Sequence, residues 1–161
     1  MDLNEAMRTT PATREFTDEP VPDEVLFDIL DHARFAPNGG NRQAWKVIVI
    51  RDQATKDRLG QLYLQGGREY AAHLAAGLVP FEAADSGPTS TAAVDLEAAG
   101  ADESLGVGAF DRMAAAPVLL LITLDLTRVS AVDTGLGRPP ITVAASVYPF
   151  AHNILLAARA R

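Results

Sequence analysis

Cysteine is absent from the 161-residue chain. That absence excludes a disulfide framework, thiol catalysis and every thiolate zinc or iron–sulfur site. Histidine is nearly as scarce: His32, His73 and His152 lie far apart and form no His-x-x-x-His pair, so no metal site is expected. Basic residues are outnumbered, 14 Lys and Arg against 21 Asp and Glu, for a net charge of -7. Nucleic-acid binding needs clustered cations, so it is not expected either. No apolar run approaches the ~18 residues that would span a bilayer, and the opening MDLNEAMRTT has neither the basic start nor the apolar core of a signal peptide. The expectation is a soluble, cytoplasmic protein without a membrane partner. No Gly-x-Ser-x-Gly marks a hydrolase, and Gly66-Gly67 and Gly135-x-Gly137 lack the flanking strand and spacing of phosphate-binding fingerprints.

What is present is globular: 48% hydrophobic and 22% charged residues, enough for one domain over residues 1–161 with a real core. A short helix is expected over Leu3 to Met7. A second starts at Pro22, with Asp23 and Glu24 in its first turn and Val25, Leu26, Ile29, Leu30 and Ala33 at helical spacing, and stops before Pro37. Val47 to Ile50 reads as a buried strand, Gln53 to about Ala76 as a helix interrupted at Gly66-Gly67, and the VLLLITLDL run after Pro117 as another strand. A long helix is expected from Thr142 to Arg161, with Val143, Val147, Ala151, Ile154, Leu155 and Ala158 as its apolar face and Pro149 kinking it or shifting its start. Residues 83–107 are rich in Ala, Gly, Ser, Thr, Asp and Glu without periodicity and read as a variable lid or insertion. Two strands alone do not make a stable sheet. The chain is therefore expected to be C-terminally incomplete or to need a partner.

Two segments carry more polar chemistry than their connections need. Arg8-Thr9-Thr10-Pro11-Ala12-Thr13-Arg14-Glu15-Phe16 sets two guanidinium groups among three hydroxyls, a set suited to phosphate. The alternative is a solvated loop with a helix cap. Pro37-Asn38-Gly39-Gly40-Asn41-Arg42-Gln43-Ala44-Trp45 combines permissive backbone with side-chain amides, which suits the polar edge of a flat heterocycle. Its alternative is a plain turn.

Taken in order, "RTTPATREF", the amphipathic helix and "ARFAPNGGNRQAWKVIVIRD" resemble the start of the FMN-dependent nitroreductase family. Arg14 and Phe16 match the end of that family's Arg-Arg-Ser-x-Arg-x-Phe segment, which binds the flavin phosphate and ribityl chain. Ala36, Pro37, Asn41, Gln43 and Trp45 match the Ala-Pro-Ser-x-x-Asn-x-Gln-Pro-Trp loop that borders the isoalloxazine ring. "ASVYPFAHNILLAARAR" resembles the family's interface helix, with His152 in place of its usual glutamine. Thr10 and Ala12 stand where the family often has arginine and serine, and Arg8 is positioned to supply the missing charge.

The resemblance implies an α+β, three-layer sandwich: a central, mostly antiparallel sheet flanked by helices, in a domain-swapped homodimer. It implies FMN as cofactor, NADH or NADPH as donor, and a ping-pong reaction in which donor and then a nitroaromatic, quinone or similar flat acceptor use one slot. The flavin would carry the chemistry, so no catalytic side chain is expected. Arg8, Thr9, Thr10, Arg14, Pro37, Asn38, Gly39, Gly40, Asn41 and Gln43 would bind the cofactor, with residues 83–107 covering the slot. A flavin-binding or sequestering protein without turnover, and an inactive truncated fragment, stand as alternatives.

Overall fold

The computed structural model describes residues 1–78, 94–137 and 140–161. They form two compact units. The first comprises Met1–Ala12, Glu19–Ile50 and Val118–Arg161, the second Thr13–Asp18 and Arg51–Pro117.

In the first unit, helix α1 spans Leu3–Thr9, begun by Asp2, whose carboxylate accepts from the Glu5 amide at 2.9 Å. It runs past the expected end at Met7. The Thr9 and Thr10 hydroxyls donate to the Glu5 and Ala6 carbonyls at 2.7 and 2.6 Å, bonding back onto the last turn, and Arg8 complements the dipole there. Helix α2 spans Asp23–Ala33 and buries Leu26, Ile29 and Ala33, which share one face at helical spacing. Strands β1 (Trp45–Ile50) and β2 (Leu119–Leu124) pair antiparallel, from Trp45 opposite Leu124 to Ile50 opposite Leu119. β1 starts two residues earlier than expected. Trp45 pairs with Leu124 in the ladder, and its ring packs on the core.

Helix α5 spans Ala144–Arg159 and contains Pro149. It buries Ser146, Phe150 and Ile154, a stripe rotated from the expected one. Leu155 and Ala158, expected on the buried face, are exposed. The core consists of Ile29, Ala33, Ala36, Phe150 and Ile154, with Trp45, Val47, Leu120 and Ile122 of the sheet packed on it. Its centre is the Trp45–Phe150 pair, stacked at 4.5 Å between centroids with planes 11° apart.

In the second unit, helix α3 runs unbroken over Gln53–Ala75, capped by Asp52. The expected interruption at Gly66-Gly67 does not occur. Each glycine costs a helix about 1 kcal/mol relative to alanine; Gly66 is exposed with open space around it, and packing bears only on its neighbours in the helix. Gly67 is buried, and a Cβ on Gly60 would sit 3.2 Å from Ala114, in the 3-10 segment Gly108–Ala115. Residues 94–107 also differ from the aperiodic reading. Asp95 caps helix α4, Leu96–Ala101, which packs on α3. The backbone of Gly100 comes so close that a Cβ would lie 2.8 Å from Gln65, and Arg68 donates to the Gly100 carbonyl at 3.1 Å. The rest of the expected lid, 83–93, lies outside the described residues. No helix among the described residues is long and apolar enough to cross a membrane.

Replacing Phe150, 2% exposed, by alanine should lower the unfolding free energy by about 3–5 kcal/mol. A urea titration followed by Trp45 emission measures this. An unchanged midpoint would contradict the assigned core.

Candidate functional site

Between α2 and β1 the chain turns through a 3-10 turn, Gly39–Asn41. Gly40, Asn41 and Gln43 all have positive φ, 61°, 51° and 44°. That conformation is free for glycine, tolerated by asparagine and costly for glutamine. The amides hold it. Asn38 accepts from the Gln43 amide through Oδ1 at 2.8 Å, and its Nδ2 donates to the Ala36 carbonyl at 3.1 Å. Asn41 Oδ1 accepts from Asn38 Nδ2 and Gln43 Nε2, each at 3.4 Å. Arg42 reaches across to the Arg128 carbonyl, also at 3.4 Å.

The loop rests on two other parts of its own unit. The Gly39 amide donates to the Ser146 hydroxyl, buried near the start of α5, at 3.3 Å. A Cβ on Gly39 would fall 2.6 Å from the Ser130 Cβ, so the close approach that requires glycine here is made by Ser130. The segment carrying Ser130 is fixed at its start by Asp125. Its amide donates to the Ala44 carbonyl at 2.8 Å, and its carboxylate accepts from the Thr127 hydroxyl and amide at 2.6 and 3.0 Å. Those two bonds, the hydroxyl's first, hold the Asp125 carboxyl below its ordinary value. The resulting stability is present above the unfolded aspartate value and lost as pH falls through the lower folded one. Further along, Asp133 clasps the segment by accepting from the Ile141 amide at 2.8 Å and the Thr142 hydroxyl at 2.6 Å.

These pieces border an open cleft of about 550 Å³, lined by Pro37, Asn38, Gly39, Gly40, Ser130, Val132, Thr142, Ala145, Ser146 and Pro149. Its size lies within the ordinary range for small-molecule sites. Four expected residues, Pro37 to Gly40, therefore share one wall. Asn41 and Gln43 shape the loop from within. Ser130, Val132, Thr142 and Ser146 are not singled out by the sequence; the Asp-x-Thr pattern at 125–127 marks only the turn that starts their segment.

The expected phosphate-binding residues divide between the two units. Arg8 is exposed in the last turn of α1 and pairs with no acid among the described residues. Besides its bond into the helix, Thr9 accepts from Arg159 Nε at 3.2 Å. Both threonine hydroxyl protons are thus spent on α1 carbonyls. Arg14 is exposed and belongs to the second unit, in a stretch that is neither helix nor strand. His152 is exposed on α5.

A family profile described as the nitroreductase family matches residues 7–161. The chain belongs to that family. Its fold, helices about a small antiparallel sheet, is shared with two solved structures. Iodotyrosine deiodinase bound to FMN and 3-iodo-L-tyrosine aligns with a TM-score of 0.64 and 18% identity over 99% of this chain and 70% of that one. An FMN-dependent nitroreductase from Clostridium difficile aligns with a TM-score of 0.55 and 19% identity over 99% of this chain and 56% of the other. In sequence, an NADH dehydrogenase of Thermus thermophilus is 37% identical over 59 residues, 37% of this chain and 29% of that protein.

The Ser130 contact predicts a specific rescue. Gly39→Ala should cost about 1–3 kcal/mol through overpacking, and a second change, Ser130→Gly, should restore most of it. Gly40→Ala should cost about 1–2 kcal/mol through its positive φ, with no rescue from Ser130→Gly. Denaturation midpoints of the four variants measure this; equal rescue of both glycine changes would refute the contact.

Proposed function

We propose that the chain is an FMN-dependent oxidoreductase that uses NADH or NADPH to reduce nitroaromatics, quinones or similar flat acceptors by a ping-pong reaction, as a homodimer. The observation that carries this reading is the cleft wall formed by Pro37, Asn38, Gly39 and Gly40 in a chain of the nitroreductase family. The lining fits a flat heterocycle: Val132, Ala145 and Pro149 offer apolar surface, and the Ser130 and Ser146 hydroxyls offer hydrogen bonds at its edges. When bound, FMN supplies the redox chemistry, accepting two electrons from the nicotinamide and passing them to the acceptor.

The chain's own residues bind and orient. Backbone at Asn38 to Gly40 faces the ring, and Asn41 and Gln43 keep that backbone in shape. A phosphate role for Arg8 and for Arg14, which lie in different units, is carried over from the family motif. Thr9 and Thr10, whose protons are committed to α1, fix the helix end that carries Arg8. The homodimer is supported by apolar surface that this chain leaves in water: Tyr148 and Leu155 on α5, 72% and 55% exposed, and Ile48 opposite Leu121 on one sheet face.

The protein should purify yellow, and NADH or NADPH should bleach it under anaerobic conditions. Arg8→Ala and Arg14→Ala should each weaken FMN binding about tenfold or more, the value of a lost charged hydrogen bond. Colourless protein that takes up no added FMN would end this reading. Flavin that is retained but reduced by neither nicotinamide would leave a binding protein in its place.

A further inference from the structure

The cleft beside the 37–40 loop is lined by no charged side chain, and most of its polar groups are spent inside the chain. Asn38 uses Oδ1 on the Gln43 amide and Nδ2 on the Ala36 carbonyl, while the Asn38 and Gly39 carbonyls accept from the Asn41 and Arg42 amides. Thr142 gives its hydroxyl proton to Asp133 and accepts from the Val132 amide. Ser146 differs. Its oxygen accepts the Gly39 amide at 3.3 Å, and its hydroxyl proton has no acceptor among the described residues. We infer that Ser146 is a specificity-determining residue of this cleft: its hydroxyl donates to a carbonyl or nitro oxygen of a flat ligand. The inference rests on the flavin reading above and deepens it.

Burial gives the spare proton its weight. Ser146 is only 6% exposed, and a buried donor left without a partner is penalised, whereas an oxygen that already accepts one bond is satisfied as an acceptor. A ligand oxygen pairs that proton; a C–H or N–H edge at the same place does not. The hydroxyl is also well supported. It stands on α5 one helical turn before Phe150, whose ring stacks on Trp45. The Ala144 and Ser146 amides are already bonded to the Ile141 and Val143 carbonyls, so neither is spare. The Ser130 hydroxyl is likewise without a partner among the described residues, and its Oγ lies 3.4 and 4.0 Å from where a Cβ on Gly39 or Gly40 would sit. Ser130 is only half-buried, so water can serve it and Ser146 is the group that discriminates.

The oxygen has two sources, the ring carbonyls of the flavin or the electron acceptor, and two matched ligand pairs separate them. Calorimetric titrations of the full chain compare FMN with its 2-thio and 4-thio analogues, whose sulfur is the poorer acceptor. On the FMN-loaded chain they compare anthraquinone-2-sulfonate with anthracene-2-sulfonate, which lacks the carbonyls. The parent should prefer the oxygen-bearing member of one pair, and Ser146→Ala should weaken that member about threefold to tenfold while changing the other less than about twofold. A selective loss for FMN assigns the bond to the flavin, and one for anthraquinone-2-sulfonate assigns it to the acceptor. Ser146→Ala also removes the Gly39 anchor, so a merely structural role would weaken both members of a pair alike. That result, or a parent without preference in either pair, would overturn the inference and leave the flavin reading intact. A parent that takes up no FMN would end the flavin reading, and the anthraquinone pair titrated on the flavin-free chain would then decide the inference alone.

Discussion

Trp45 and Phe150 lie face to face at 4.5 Å, and both ends of the candidate site are hung from that contact. Trp45 opens β1 two residues after Gln43, so the stack fixes where the 37–43 loop leaves the core. Phe150 lies one helical turn beyond Ser146, whose hydroxyl receives the Gly39 amide, so the same stack fixes where the loop touches α5. Ala33 and Ala36 complete the enclosure from the α2 side. The cleft wall is therefore tied to the best-packed part of a thin core. Among the described residues no large side chain is completely enclosed, and in so small a unit a single aromatic pair carries unusual weight.

The loop itself answers two demands with different atoms. Its amide side chains are consumed in holding three positive-φ residues in place. Its glycines are required by contacts inside the chain, Gly39 by Ser130 and Gly40 by its own φ. The dense polar composition that suggests a ligand is thus largely structural at the level of side chains. Residues 37–40 line the cleft, with the Gly39 amide bonded to Ser146 and the Asn38 and Gly39 carbonyls bonded within the turn. A wall already fixed by its own bonds is one a bound ring can lie against without rearranging it.

Much of this was legible in the sequence. The amphipathic pattern of α2 and the β-branched run of β1 set those elements, and the Arg14-to-Phe16 and Ala36-to-Trp45 motifs pointed to the family before any coordinate did. The failures are instructive because most are tertiary effects overriding a local preference. Gly66-Gly67 did not break α3, although only Gly67 is buried and Gly66 lies open to solvent. Helix α4 was hidden in an alanine- and glycine-rich stretch, because its stability comes from Asp95 and from docking on α3. The buried stripe of α5 turned toward Phe150, which the apolar count had not singled out. Ser130 and Ser146 could not be foreseen, since a serine that meets a glycine 91 or 107 residues away leaves no local pattern.

The central claim is that backbone at Asn38 to Gly40 forms the wall against which the flavin ring lies. Amide hydrogen exchange across residues 37–43, measured with and without saturating FMN, tests it most directly. The account predicts slowed exchange concentrated at Asn38, Gly39 and Gly40, with α3 unchanged. Protection confined to other segments, with 38–40 exchanging as before, would contradict it.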